Sequence, residues 1–195
     1  MTSSIVLSKP LEGKEDFILN YAHEILKEGK ELVFVLTDRD VEEMKLQLEK
    51  NKINFKDIYF IDGYSMQNLG KVNQSKNIKN VSGPMALNEM SIAISNFGRD
   101  FLKEHKTFSI IFDSLSTLLI YSNGDAIARF LQVLIGKIKN FNGEILFTLE
   151  AGMHDQKTLV TIEHLMDNIT EVKIESGKVY AKSYGKDESW KELKK

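Results

Sequence analysis

The sequence lacks cysteine altogether, and it contains two prolines and three arginines among 195 residues. Without cysteine there is no disulfide framework and no thiolate metal site. With so few arginines, few forked donors are available to recognise phosphate. The net charge of -2 gives no electrostatic argument for binding nucleic acid or an anionic membrane. No apolar run approaches the length of a membrane span, and the first residues do not resemble a signal peptide, so we expect a cytoplasmic protein without membrane contact.

The apolar residues instead predict an alternation of short strands and amphipathic helices. Continuous apolar runs such as "LVFVL" are typical of strands that are covered on both faces. The predicted strands span residues 5–7, 32–36, 57–61, 108–112, 144–149, 169–174 and 179–184. The predicted helices span residues 14–28, 40–50, 87–104, 125–141 and 156–166.

This alternation predicts an α/β sandwich with a mainly parallel sheet, closed by a hairpin that turns at Ser176-Gly177. We expect a single domain over residues 1–185 and a polar, frayed C-terminal tail over 186–195. The polar segment 63–84 is predicted to be a mobile loop. In such a fold, ligands bind beyond the carboxyl ends of the strands, so the residues that follow each strand are the candidates for function.

The first of these strand ends, at residues 8–15, has part of a phosphate-binding pattern. That pattern, G-x-x-x-x-G-K-[ST], uses glycine to curl backbone N–H groups around phosphate, lysine to neutralise it, and a hydroxyl to bind Mg²⁺. Only Gly13 and Lys14 match, since Ser8 replaces the first glycine and Glu15 replaces the hydroxyl. The Glu15 carboxylate would repel an anionic nucleotide. Taken alone, Gly-Lys is typical of an ordinary turn.

Two other strand ends carry acidic residues. The strand over 108–112 ends at Asp113, in the place where an Asp completes the Mg²⁺ shell of a nucleotide site, although a terminal Asp also commonly caps the next turn. His154 and Asp155 could form a catalytic pair, but the sequence favours Asp155 as the cap of the following helix.

Four segments, in the same order along the chain, resemble the KaiC-like branch of the RecA-type ATPases. They are "IDGYS", "LNEMSIAISNF", "FSIIFDSLSTLLIYSNGDAIARFLQVLIGKIK" and "LFTLEAGMHDQKTLVTIEHLMDNITEVKI". The resemblance covers residues 5–185. It implies a RecA-like three-layer α/β/α sandwich, with a mainly parallel twisted sheet, a central first strand and a C-terminal edge hairpin. It also implies ATP and Mg²⁺ as cofactors, with Gly13, Lys14, Glu15 and Asp113 at the nucleotide site and Asp113 toward the metal.

The same resemblance shows where this sequence departs from the family pattern. Asp38 and Arg39 stand where the family has paired glutamates that polarise water, so Asp38 is a weak catalytic candidate and Arg39 cannot be a base. Lys182 and Tyr184 stand in the segment that reaches a neighbour's nucleotide, with tyrosine in place of arginine. With Glu15, these changes affect metal binding, water activation and charge stabilisation.

The sequence therefore predicts a degenerate KaiC-like protein that does not hydrolyse ATP efficiently and has a regulatory or scaffolding role. A protein that still binds ATP, with weak or slow turnover, is the alternative. A nucleic-acid-associated recombinase paralogue is a further alternative that the near-neutral charge disfavours. We expect a protein partner or self-association, because the helix over 125–141 is unusually apolar.

Overall fold

The computed structural model describes residues 2–185 and 187–193, in which nine strands form one sheet with helices on both faces. The strands are β1 (Ser3–Ser8), β2 (Glu31–Leu36), β3 (Tyr59–Asp62), β4 (Ile78–Asn80), β5 (Phe108–Asp113), β6 (Gly143–Glu150), β7 (Asn168–Glu175), β8 (Lys178–Ser183) and β9 (Asp187–Glu192). The helices are α1 (Lys14–Lys27), α2 (Val41–Lys50), α3 (Ser65–Leu69), α4 (Leu87–Lys103), α5 (Leu115–Tyr121), α6 (Gly124–Asn140) and α7 (Gln156–Glu163).

The strand order is β4-β3-β2-β5-β6-β1-β7-β8-β9. All pairings from β4 to β7 are parallel, and the two pairings that join β7, β8 and β9 are antiparallel. β1 therefore lies inside the sheet between β6 and β7, with the antiparallel strands at one edge. This arrangement confirms the predicted mainly parallel sheet and its internal first strand. The predicted hairpin is β7 and β8, and it lies one strand in from the edge, because β9 pairs with β8 and is the outermost strand.

Two apolar cores hold the three layers together. Helices α1 and α2 pack on one face of the sheet, and α4 to α7 pack on the other. Because both faces of the central strands are covered, β2 and β5 are apolar without alternation, as parallel strands in this architecture usually are. Within the described residues, no helix combines the length and apolarity that crossing a membrane requires.

Local signals in the sequence fix several of the element ends. The Asp40 side chain accepts a hydrogen bond from the Glu43 backbone N–H at 2.7 Å, which confirms the predicted cap of α2. Ser176 and Gly177 both have positive φ, 52° and 75°, as the tight turn between paired antiparallel strands requires.

The polar segment 63–84 is not a featureless loop, because it contains helix α3 and the edge strand β4. Asp62 organises its start: its carboxylate accepts hydrogen bonds from the Ser65 hydroxyl at 2.6 Å and from the Asn73 amide at 2.6 Å. Neither element has a clear signal in the sequence, because each is five residues or fewer and mostly polar.

The prediction of a frayed tail over residues 186–195 was wrong, because residues 187–192 form strand β9, which pairs with β8. Lys178 pairs with Glu192 at 2.9 Å, and the Lys173 ammonium lies 4.6 Å from the centre of the Trp190 ring. The first contact joins the neighbouring strands β8 and β9, and the second reaches from β7 to β9 across β8. Together they give a polar strand enough side-chain interaction to pair. Lys186, Lys194 and Lys195 lie outside the described residues.

Candidate functional site

The strand order brings four strand ends together at the carboxyl edge of the sheet. β2, β5, β6 and β1 are consecutive neighbours, with Leu36 level with Asp113 and Ser8 level with Glu150. The loop after β1 leads into α1, whose first residues carry Lys14 and Glu15. The side chains that the sequence analysis placed after separate strands therefore meet in one place.

Lys14 is surrounded by carboxylates. Its ammonium nitrogen lies 3.1 Å from Asp113 Oδ1, 3.5 Å from Asp38 Oδ2 and 3.5 Å from Glu150 Oε1, and only 10% of its side chain is exposed. Burial alone would lower the pKa of Lys14, but the charges of Asp113, Asp38 and Glu150 outweigh it and raise that pKa. The lysine that would bind phosphate in a nucleotide site is thus neutralised by the protein itself.

Arg39 forms the second centre of positive charge. Its guanidinium makes a two-pronged contact with the Glu15 carboxylate, with Nη1 donating to Oε2 at 2.8 Å and Nη2 donating to Oε1. Nη2 also lies 2.9 Å from Asp113 Oδ2, and Nε lies 3.4 Å from Asp38 Oδ1. Burial opposes its charge, yet the Glu15 hydrogen bonds and the Asp113 carboxylate raise the pKa of Arg39, so it stays charged.

Asp113 lies at the centre of this arrangement and is fully buried. One of its oxygens accepts a hydrogen bond from the Thr148 hydroxyl at 2.7 Å and faces Lys14, and the other faces Arg39. The contact between Arg39 and Asp113 is a charge pair without hydrogen-bond alignment. The backbone carbonyl of Asp113 also accepts from the Thr37 amide at 2.8 Å. Both carboxylate oxygens of Asp113 are therefore engaged by protein groups.

We call these six charged residues the ion cluster: Lys14, Glu15, Asp38, Arg39, Asp113 and Glu150. Four carboxylates face two cations, so negative charge is in excess. Burial together with the Asp113 charge raises the pKa of Asp38, although Lys14 and Arg39 act in the opposite direction. The cluster as a whole repels anions rather than attracting them.

The loop between β1 and α1 is packed against the edge hairpin. Gly13 has a φ of 85°, and a β-carbon there would lie 2.9 Å from Val179 Cγ1 and 3.0 Å from Val172 Cγ1. Glycine is needed at this position both for the backbone conformation and for the space. At the tip of the loop, Leu11 has a φ of 65° and is 97% exposed. The Gly-Lys dipeptide is therefore fixed by packing at Gly13 and by the ion cluster at Lys14.

These residues do not fit Mg²⁺ with a nucleotide. The metal would need oxygen ligands from the Glu15 and Asp113 positions, and both carboxylates are already paired with Arg39. In the part of the chain that the structure describes, no group of three or more His, Cys, Asp or Glu side chains has an arrangement suited to a metal ion.

The remaining predicted residues lie elsewhere. Lys182 is in β8 and Tyr184 follows it, two strands from β1, where the Lys182 ammonium lies 4.6 Å from the centre of the Tyr184 ring. Asp155 accepts from the Thr158 amide at 2.9 Å and so caps α7, as the sequence favoured. Burial lowers the pKa of His154.

Sequence reasoning missed the partners of the retained lysine and aspartate. Thr148 hydrogen-bonds to Asp113, and Glu150 pairs with Lys14, although neither was assigned a role. A polar threonine inside the otherwise apolar "ILFTL" strand was the available signal, because a buried hydroxyl needs a partner.

Comparison with known proteins adds a family and a fold. Residues 19–172 match a family model described as "Family of unknown function (DUF7504)". No curated protein matches the chain.

Three solved structures share the fold. Protein PH0321 from Pyrococcus horikoshii, in complex with an unknown peptide, has a TM-score of 0.74 at 9% identity, over 99% of this chain and 92% of that one. The KaiC-like protein PH0186 from Pyrococcus horikoshii has a TM-score of 0.65 at 12% identity, over 98% and 84%. The flagellar accessory protein FlaH from Methanocaldococcus jannaschii has a TM-score of 0.61 at 18% identity, over 95% and 79%.

The likeness to the KaiC-like protein and to FlaH confirms the RecA-type fold that the sequence predicted. Because the family model covers more than half of its residues, the chain belongs to the DUF7504 family.

Proposed function

We propose that this protein is a non-hydrolysing member of the RecA-fold proteins, with a regulatory or scaffolding role exerted through a protein partner. In this proposal the phosphate loop is degenerate, and the protein works in the cytoplasm without cycling between nucleotide states.

The ion cluster is the observation that carries this proposal. Phosphoryl transfer depends on cations that are free to neutralise the developing charge on phosphate. Here Lys14 has three carboxylate neighbours and Arg39 has three, so both cations are already satisfied. A nucleotide would have to break these buried pairs and bring its own negative charge beside Glu15 and Asp38, which opposes binding.

A polypeptide is the class of partner that the comparisons support best. The similar fold of PH0321 was solved in complex with a peptide. In this chain the tip of the loop between β1 and α1 exposes Leu11 to solvent with a φ of 65°, and an apolar side chain held out on a loop is available to a partner. The sequence also predicts that the segment with Lys182 and Tyr184 reaches the nucleotide site of a neighbouring subunit, and this stays a prediction.

ATP binding with weak or slow turnover is a second candidate. Three residues favour it, because they match the nucleotide-site pattern of the KaiC-like ATPases at the ends of β1 and β5: Gly13, Lys14 and Asp113. In that case ATP would have to displace Asp38 and Glu150 from Lys14.

Phosphate release from ATP by the pure protein separates these possibilities. With Mg²⁺ present, we expect release no faster than from the Asp113→Asn variant. Mg²⁺-dependent turnover that Asp113→Asn abolishes would overturn the proposal. Saturable ATP binding with no more than slow turnover would select the second candidate.

The partner role needs its own test. Capture by the wild-type protein should be compared with capture by Leu11→Ser, and each candidate partner should then be titrated in pure form against both. We expect weaker binding by Leu11→Ser, and equal binding by both proteins would show that Leu11 does not contact the partner.

A further inference from the structure

Arg39 contacts the two side chains that a phosphate-loop protein would use to hold its metal. In the family pattern, Mg²⁺ is bound by the hydroxyl that follows the lysine and by the Asp at the end of a strand. Those positions are Glu15 and Asp113 in this chain. Arg39 Nη2 contacts both of them, Asp113 Oδ2 at 2.9 Å and Glu15 Oε1 as a hydrogen-bond donor.

We infer that the Arg39 guanidinium is a built-in replacement for Mg²⁺, and that Glu15 and Arg39 are a matched pair. This inference rests on the proposed function, because it requires that no metal-bound nucleotide uses the site. Glu15 and Arg39 both depart from the KaiC-like pattern, and on this inference they are one compensated change, since each residue supplies the charge that neutralises the other.

The chemistry of the pair supports this assignment. A guanidinium keeps its charge at any pH that a folded protein tolerates, and its planar fork matches the two oxygens of a carboxylate. The hydroxyl that the pattern calls for at position 15 could not neutralise Arg39, whereas the Glu15 carboxylate does so with two hydrogen bonds. Conversely, without Arg39 the carboxylate of Glu15 would stand near the buried Asp113 carboxylate without a cation between them.

Removing the guanidinium should therefore create a metal requirement that the wild-type protein lacks. Arg39 is the common neighbour of Glu15, Asp38 and Asp113. Replacing it by glutamine would leave these three carboxylates without their shared cation, with Lys14 still beside Asp38 and Asp113. They are not arranged as a metal site in the wild-type protein, so Mg²⁺ would have to draw their oxygens, which are the ligands it prefers, toward the place of the guanidinium. Mg²⁺ would then stabilise the folded state by binding it in preference to the unfolded chain.

Thermal unfolding in MgCl₂ and in NaCl of equal ionic strength tests this directly, without any nucleotide. We expect the wild-type midpoint to be the same in both salts. Arg39→Gln should melt roughly 10 °C lower in NaCl, because a buried ion pair loses one partner. Millimolar Mg²⁺ should recover about half of that loss, since it supplies a replacement cation.

The matched control is Arg39→Gln combined with Glu15→Gln. This variant lacks one of the gathered carboxylates, so it should melt above Arg39→Gln in NaCl and show no specific response to Mg²⁺. An equal Mg²⁺ response in both variants would contradict the role of Glu15.

Two outcomes overturn the inference: an Arg39→Gln midpoint equal to the wild type, or a lowered midpoint on which Mg²⁺ acts no more than NaCl does. If Arg39→Gln is recovered only in unfolded form, refolding with Mg²⁺ but not with NaCl supports the inference, and refolding with neither overturns it. Specific stabilisation of the wild type by Mg²⁺ with ATP would instead overturn the proposed function. A wild type that does not respond to Mg²⁺, together with an unrescued variant, overturns only the inference.

Discussion

Replacing Lys14 by methionine should strongly destabilise the protein even when no nucleotide is present. In a phosphate loop that waits for ATP, the lysine interacts mainly with the ligand, and its loss affects binding more than folding. Here the Lys14 ammonium lies within 3.5 Å of three carboxylates, one of which, Asp113, is fully buried. Methionine has a similar shape but no charge, so the substitution isolates the electrostatic contribution.

The contacts set the size of the expected effect. Each charge pair at 3.1–3.5 Å corresponds to about 5 kcal/mol of attraction at an effective dielectric constant of about 20, most of which offsets the loss of hydration. Removing one partner of such a buried pair typically costs about 3–5 kcal/mol. For a chain of this length, that loss lowers the melting midpoint by roughly 6–20 °C.

Urea unfolding of wild type and Lys14→Met measures this effect, with Lys178→Met as the matched control. Lys178 pairs with Glu192 at the surface, where 56% of its side chain is exposed and solvent screens the pair, so its loss should destabilise the protein far less than the loss of Lys14. If Lys14→Met costs no more than Lys178→Met, the ion cluster does not stabilise the fold and the reasoning fails.

The difference in the free energy of unfolding between wild type and Lys14→Met should depend on pH in a defined direction. The pKa of Lys14 is raised in the folded protein, so its contribution is complete below the ordinary lysine pKa of about 10.5. That contribution should be lost as the pH rises through the folded-state pKa. The difference between wild type and Lys14→Met should therefore be constant near neutral pH and shrink in strongly alkaline buffer, and a difference that grows with pH would contradict this assignment.

Three further substitutions can be tested by urea unfolding. Asp38→Asn should stabilise the protein at pH 7, because burial and the Asp113 charge raise the pKa of Asp38 and so disfavour its charge. The gain should vanish below the ordinary carboxylate pKa of about 4, and a loss of stability at pH 7 would contradict this. Gly13→Ala should cost about 2 kcal/mol, since φ is 85° and the new β-carbon would lie 2.9 Å from Val179; a neutral effect would show that the loop relaxes freely. Asp167→Asn should cost about 1 kcal/mol at neutral pH, because Lys139 and neighbouring hydrogen bonds lower the pKa of Asp167 to about 2; solvent exposure of the pair keeps the cost this small. The cost should fade as the pH falls toward about 2, and a cost independent of pH would show that the charge of the carboxylate is not its source.

The fold was predictable from the sequence because its signals are local. Continuous apolar runs marked β2 and β5, the Asp40 cap marked α2, and Ser176-Gly177 marked the hairpin. β9 was not predictable, because Trp190 is the one apolar residue within the strand and its pairing depends on contacts with β7 and β8.

The candidate site was predictable residue by residue but not as a network. Gly13, Lys14 and Asp113 were recognised by their places after strands, and Glu15 and Arg39 as departures from a pattern. Their pairing joins positions 24 residues apart on different loops, and no spacing rule connects those loops. Only the adjacency of β1, β6, β5 and β2 in the sheet shows that one departure neutralises the other.

Titration calorimetry of the wild-type protein with ATP in millimolar Mg²⁺ tests the central claim most directly. The claim is that the protein's own charges fill the nucleotide site. We predict no saturable heat, because Lys14 and Arg39 are already paired with carboxylates. A saturable heat with one ATP per chain, lost in Asp113→Asn, would show that the ion cluster opens for nucleotide and would contradict the account.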